Sequence, residues 1–204
     1  MTALELLKKV VFRGKKTNGK GWRKEVWKFK RNLDLSSHQL ATIDLSSVSH
    51  CPKLRRVYLD NNQLSSIDLS PLIDCPDLLV VNLSSNRLSS IDLSPLAQIP
   101  TLRRLLLYNN QLSSVDLFPL ANSPNLRVLS LTENQIASID LTPIAQCPKL
   151  WRLGLDASTI IHWSSESFNE STLPPGLQDY REMIQQAHQQ HLSQLREKKT
   201  VSEV

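Results

Sequence analysis

Residues 54–77 read LRRVYLDNNQLSSIDLSPLIDCPD, and the same frame returns at Leu78 (LLVVNLSSNRLSSIDLSPLAQIPT), Leu102 (LRRLLLYNNQLSSVDLFPLANSPN) and Leu126 (LRVLSLTENQIASIDLTPIAQCPK). The starts at 54, 78, 102 and 126 are 24 residues apart each time, with no insertion between them. Residues 30–53 fit the frame more loosely, with Lys30 at the first leucine position and His38 at the asparagine position. Leu150 opens a sixth unit that keeps its leucines before the pattern breaks. A fixed period of this length marks a solenoid, in which each unit buries its apolar face only against its neighbours.

Within the unit, apolar and variable residues alternate through Val57-Tyr58-Leu59 and its copies, as a strand with one buried face requires. Asn62, Asn86, Asn110 and Asn134 stand where that strand must turn, and a buried amide there can satisfy backbone groups in a ladder along the stack. The signature Leu-x-x-Val/Leu-x-Leu-x-x-Asn-x-Leu resembles the leucine-rich repeat family over roughly 140 of the 204 residues. The resemblance implies an α/β solenoid: a right-handed superhelix with a parallel sheet on the concave face and short helices on the convex one. Helical caps are expected at both ends.

The rest of each unit is read from its turn chemistry. Ile43, Ile67, Ile91, Val115 and Ile139 are expected to be buried. Ser70-Pro71, Ser94-Pro95 and Thr142-Pro143 each join a capping hydroxyl to a proline at the first helical position, with Phe118 a local exception. Asp44, Asp68, Asp92, Asp116 and Asp140 form a column that could line calcium sites. Each would supply a single side chain, so the column reads instead as acceptors for backbone amides or serines of the local turn.

Three segments are expected: a basic N-terminal cap over 1–29, six leucine-rich repeats over 30–173, and a C-terminal capping helix and tail over 174–204. Residues 2–13 read as a short amphipathic helix. In the sixth unit Trp151, Trp163 and Phe168 are expected to close the core. Apolar residues from Leu177 onward recur at helical spacing, and His188 and His191 read as solvated.

Charge is unevenly placed. Residues 1–31 hold eleven Lys/Arg against Glu5 and Glu25, whereas residues 32–175 hold nine against thirteen Asp/Glu. Gly14-x-x-x-x-Gly19-Lys20 approaches a phosphate-binding loop but has Gly21 where a magnesium-holding Ser or Thr is needed, so Asn18-Gly19 reads as a tight turn. In Trp22 to Arg31, parity with Leu33 and Leu35 puts Trp27 and Phe29 toward the core. Lys15, Lys16, Lys20, Arg23, Lys24 and Lys28 then form an alternative site for an anionic partner, either nucleic acid or an anionic lipid surface.

Leu4 to Val11 is too broken by Glu5, Lys8 and Lys9 for the apolar core of a signal peptide, and no stretch approaches a transmembrane span. Cys51, Cys75 and Cys147 occupy one frame position and read as free buried thiols, although Cys51 and Cys75 lie on neighbouring coils. A cytoplasmic location and a monomeric state are expected. The five histidines are scattered in the frame, no Cys-x-x-Cys or nucleophile motif occurs, and neither catalysis nor a cofactor or metal is called for.

What varies between repeats carries the function. The exposed strand positions include Arg56, Tyr58 and Asp60, then Val80 and Asn82, then Arg104, Leu106 and Tyr108, and then Val128 and Arg152. Tyrosine, arginine and exposed aliphatic side chains dominate interface energetics. This face is expected to bind another protein.

Overall fold

A computed structural model describes residues 9–202. The chain enters on an antiparallel hairpin, β1 (Lys9–Lys16) and β2 (Gly21–Trp27), followed by β3 (Asn32–Asp34) and β4 (Leu40–Asp44). β4 pairs with β1, giving a three-stranded sheet in the order β2-β1-β4. The expected helix over 2–13 is therefore corrected where it can be judged: residues 9–13 are strand, and residues 2–8 lie outside the described residues. Val10 and Phe12 alternate with exposed Lys9 and Arg13, so the segment has one apolar face at either period. The free edge of β4 and the Asn18-Gly19 turn, where Gly19 sits at φ +78°, decide for strand.

Gly14 is required by this docking. A Cβ there would lie 2.4 Å from the carbonyl oxygen of Thr42 on β4. Cross-strand pairing puts Val10, Phe12, Trp22 and Val26 on the inner face and Lys9, Arg23, Glu25 and Trp27 on the outer. Val26, not Trp27, therefore enters the core. Trp27 is 49 % exposed with the Lys9 ammonium 5.3 Å from its ring, and Phe29 is half-buried.

From β3 onward each coil adds one short parallel strand: β5 (Arg56–Tyr58), β6 (Val80–Asn82), β7 (Arg104–Leu106), β8 (Val128–Ser130) and, after β9 (Ser138–Asp140), β10 (Arg152–Gly154). They form one sheet in the order β3-β5-β6-β7-β8-β10, each residue pairing with the one 24 positions on. Behind it Leu54, Val57, Leu59, Leu64, Leu69 and Leu72, with their copies, fill a continuous core. Burying each such side chain is worth about 1.5–3 kcal/mol, which is why units too small to fold alone are stable as a stack.

The asparagines form the expected ladder. Asn86 Oδ1 accepts from the amide of Leu64 at 3.1 Å, and its Nδ2 donates to the carbonyls of Leu59 and Leu83, both at 3.0 Å. Asn62, Asn110 and Asn134 repeat the pattern. Both ends improvise. His38 takes the asparagine position in the first coil and bonds through Nδ1 to the Ser36 carbonyl. At the other end the Asp156 carboxylate accepts from the amides of Glu133 (2.8 Å) and Asn134 (3.0 Å), which otherwise face an unfinished coil.

The convex side carries single 3₁₀ turns, such as Ser70–Asp74 and Ser94–Gln98, and not α-helices. No serine or threonine hydroxyl caps them. The aspartate two residues earlier does so instead: Asp68, Asp92, Asp116 and Asp140 accept from the amides of Ser70, Ser94, Phe118 and Thr142 at 2.8–2.9 Å. Phe118 is thus no exception, because only its backbone amide is used. Hydrogen bonds from the hydroxyl and amide of Ser70 and of Ser94 hold the Asp68 and Asp92 carboxyls below the ordinary range. The Ile43 column is only half-buried except at Ile139.

The sixth coil is two residues shorter than the others. β11 (Ile160–His162) pairs with β9 so that Ile161 faces Ile139, an offset of 22 instead of 24. Ile161 and Trp163 therefore become core, while Ile160 is 61 % exposed. Trp163 meets Phe168 edge to face at 5.6 Å, and Phe168 meets the ring of His188 at 5.7 Å. His188 is buried and bonds through Nδ1 to the Ser165 carbonyl, correcting its reading as solvated. It lies on the C-terminal helix Arg181–Ser202, which also buries Ile184 and Ala187. Trp151 is 54 % exposed and closes nothing. The three thiols are buried and unbridged, and loss of solvation pushes Cys75 up to about 12 and Cys147 to about 11.

Candidate partner-binding face

The sheet places the variable residues by arithmetic. Side chains alternate across each strand, and neighbouring strands lie about 4.8 Å apart, so equivalent positions stack into columns. One column is Arg56, Val80, Arg104, Val128 and Arg152; the next begins Tyr58, Asn82, Leu106. The ten residues singled out from the sequence thus share one face, but they are not equivalent.

Two of them are spent on the scaffold. Asp60 accepts from Asn82 Nδ2 at 2.9 Å and from Asn61 Nδ2 at 3.0 Å, while Asn82 Oδ1 accepts from the amide (3.1 Å) and hydroxyl (2.5 Å) of Ser84. Val128 is buried at 8 % exposure, and Tyr58, Val80 and Leu106 are half-buried. Arg56, Arg104, Tyr108 and Arg152 project. Arg56 reaches Asn32 Oδ1 at 3.3 Å. The side chains of Arg104 and Arg152 make no hydrogen bond or ion pair among the described residues.

Two shallow recesses open here. One, of about 370 Å³, is lined by Arg104, Leu106, Tyr108, Val128, Ser130, Thr132, Trp151 and Arg152. The other, of about 430 Å³, lies between Arg56, Tyr58, Leu79, Val80, Arg103, Arg104, Leu106, Arg127 and Trp151. Arg104, Leu106 and Trp151 line both, so they form one continuous surface.

The second recess is lined by four members of a column that the sequence reasoning missed, Leu79, Arg103, Arg127 and Trp151, which Arg31 and Arg55 begin. From Arg55 onward each amide of this column donates to the carbonyl one coil back, as Arg103 does to Leu79 and Arg127 to Arg103, both at 2.8 Å. The sheet ladder therefore runs one residue beyond the strands and fixes these side chains in a row. The signal was present at the second position of every repeat, where Arg, Leu, Arg, Arg and Trp follow the first leucine.

The six cap cations do not converge in the same way. Lys24 lies on the inner face of the hairpin and donates through Nζ to the Asp34 carbonyl at 2.6 Å. Arg23 lies on the outer face, 3.4 Å from Glu25. Lys15 and Lys16 end β1, Lys20 is in the turn, and Lys28 follows β2. Among the described residues no cluster of His, Cys, Asp and Glu is arranged to hold a metal ion. No helix there is long and apolar enough to cross a membrane.

Comparison with known proteins agrees with the geometry. No curated protein matches the chain in sequence. Internalin C2 from Listeria monocytogenes is similar in structure, at 31 % identity and a TM-score of 0.50, over 61 % of this chain and 51 % of that one. A chain of the LRIM1/APL1C complex shares the fold at 21 % identity and a TM-score of 0.59, over 67 % of this chain and 25 % of that one. The chain therefore spans about half the length of the internalin and a quarter of the other. The family model described as leucine rich repeat matches residues 52–112 and 100–160, which together cover more than half of the 204 residues. With its 24-residue coils, parallel sheet and asparagine ladder, the chain belongs to the leucine-rich repeat family.

Proposed function

We propose that this protein is a non-catalytic interaction module that binds another protein on the concave face of its solenoid. Proteins of this family generally mediate protein–protein interaction. The observation that carries the reading for this chain is the continuous recess in which Arg104, Leu106 and Trp151 serve both halves, flanked by Tyr58 and Tyr108. Arginine and aromatic side chains around a half-buried aliphatic floor are the composition of an interface centre. The scaffold does not use Arg104 or Tyr108 as side chains, so both are available to a partner. We place the module inside the cell, where three buried unbridged thiols suit a reducing compartment.

The test is affinity capture from cell extract with the full chain, compared with an Arg104→Ala/Tyr108→Ala variant of unchanged melting temperature. A partner held by the wild type and lost from the variant supports the reading. Equal capture by both contradicts it. The alternative, an anionic surface bound by the N-terminal hairpin, predicts instead that capture survives this variant and fails when Lys15, Lys16, Lys20 and Arg23 are changed to Ser.

A further inference from the structure

The concave face is divided by charge along its strands. Between residues 32 and 175 the chain has nine Lys/Arg and thirteen Asp/Glu, yet six of those nine cations lie in two adjacent columns of this face. These are Arg55, Arg103 and Arg127 in one column and Arg56, Arg104 and Arg152 in the other. Of the carboxylates of the same face, Asp34 lies on the edge strand β3 in the Tyr58 column, where the Ser36 amide and hydroxyl occupy it, and Asp60 and Asp156 stand four residues beyond the Arg56 column along their strands, about 13 Å away at strand rise. The latter two are also occupied, Asp60 by two asparagine side chains and Asp156 by two backbone amides. The aspartates of the convex column are likewise bound to their own turns.

Arg103, Arg104 and Arg127 are therefore exposed cations on adjacent coils with no side-chain hydrogen bond or ion pair among the described residues. The ladder between their backbones sets them about 4.8 Å apart. Guanidinium groups carried on backbones this close repel one another and give the fold nothing in return, and an anionic ligand removes that repulsion. Aliphatic groups lie beside them: Leu79 and Val80 on the preceding coil and Leu106 on the coil of Arg104 line the same recess. A sugar–phosphate backbone offers nothing to an aliphatic floor, whereas a peptide that mixes acidic and apolar side chains satisfies both. Planar guanidinium groups also match carboxylates in bidentate geometry.

We propose that the occupant of this face is an acidic protein segment. Its Asp or Glu side chains pair with Arg103, Arg104 and Arg127, and its interspersed Leu, Ile or Phe side chains rest on Leu79, Val80 and Leu106. The proposal rests on the concave-face reading above and specifies the partner's chemistry.

The test is selection of a random 16-residue peptide display library on the full chain, followed by affinity measurement of the enriched peptides at two salt concentrations. The variants are Arg103→Glu/Arg127→Glu and, for the aliphatic floor, Leu79→Gln. Enrichment of net-acidic peptides that carry aliphatic or aromatic residues is expected. Their affinity should fall at least about tenfold in the charge-reversal variant and about three- to tenfold in Leu79→Gln. Enriched peptides that are neutral or basic, or acidic peptides that bind the charge-reversal variant unchanged, overturn the proposal. If neutral peptides are nonetheless lost from Arg104→Ala/Tyr108→Ala, the concave-face reading stands and only the acidic partner falls. No enrichment over bare support also overturns the acidic segment, leaving the concave face to the capture experiment. A 20-residue oligothymidine is the control polyanion. Should it bind more tightly than any enriched peptide and be lost from the charge-reversal variant, the face belongs to nucleic acid and the proposal is wrong.

Discussion

Two columns run the length of this solenoid with the same period and opposite physics. The asparagines 62, 86, 110 and 134 are buried or nearly so, and every one bonds across coils. In the column containing Arg55, Arg103 and Arg127, the last two are exposed and Arg55 half-buried, and none of the three side chains makes a hydrogen bond or ion pair among the described residues. A residue that recurs every coil can thus be structural or free. Period alone does not distinguish them. Hydrogen-bond saturation does, and it predicts which column the fold depends on.

The comparison breaks most visibly at the ladder. Asn110→Ala orphans the buried amide of Leu88 and leaves the carbonyls of Leu83 and Leu107 with one donor where each had two. A loss of about 3 kcal/mol in urea denaturation is expected. Next comes the docking of the cap. Gly14→Ala puts a methyl group against the Thr42 carbonyl and should cost about 2 kcal/mol in the same measurement.

A smaller effect comes from the convex aspartates. Asp68 and Asp92 are held below their usual value of 3.8 by hydrogen bonds in the folded state. Their stabilisation is therefore complete above that value and fades as pH falls through the lower folded value. The melting temperature should drop on acidification below about pH 4, and Asp92→Asn should flatten that drop. Smallest of all, Arg103→Gln with Arg127→Gln should leave stability unchanged or raise it by up to about 0.5 kcal/mol, because it removes repulsion and no contact. A large destabilisation there would erase the distinction between the two columns.

Most of the coil was legible because its chemistry is local. Leu54, Val57, Leu59 and Asn62 state a strand and its turn within nine residues, and four copies repeat the statement. The ends were less legible, because there the period competes with docking. Val10 and Phe12 suit a helix or a strand until β4 offers an open edge. Trp163 looks two residues early until the sixth coil is found to be shortened. His188 reads as a surface residue of a glutamine-rich helix, and only Phe168 and the Ser165 carbonyl draw it inward. On the concave face the alternate strand positions were readable, but Arg103, Arg127 and Trp151 were not, because the hydrogen-bond ladder extends one residue before each strand.

Exposed aromatic side chains provide the direct test, because they mark three surfaces of one molecule. Tyr108 (37 % exposed) and Trp151 (54 %) lie on the concave face, Trp27 (49 %) on the hairpin and Phe118 (74 %) on the convex turns. Hydroxyl-radical footprinting of the full chain, alone and with its captured partner, reads all four at once. Concave-face binding predicts that Tyr108 and Trp151 become protected while Trp27 and Phe118 oxidise as before. Protection of Trp27 or Phe118 with Tyr108 and Trp151 unchanged would contradict it.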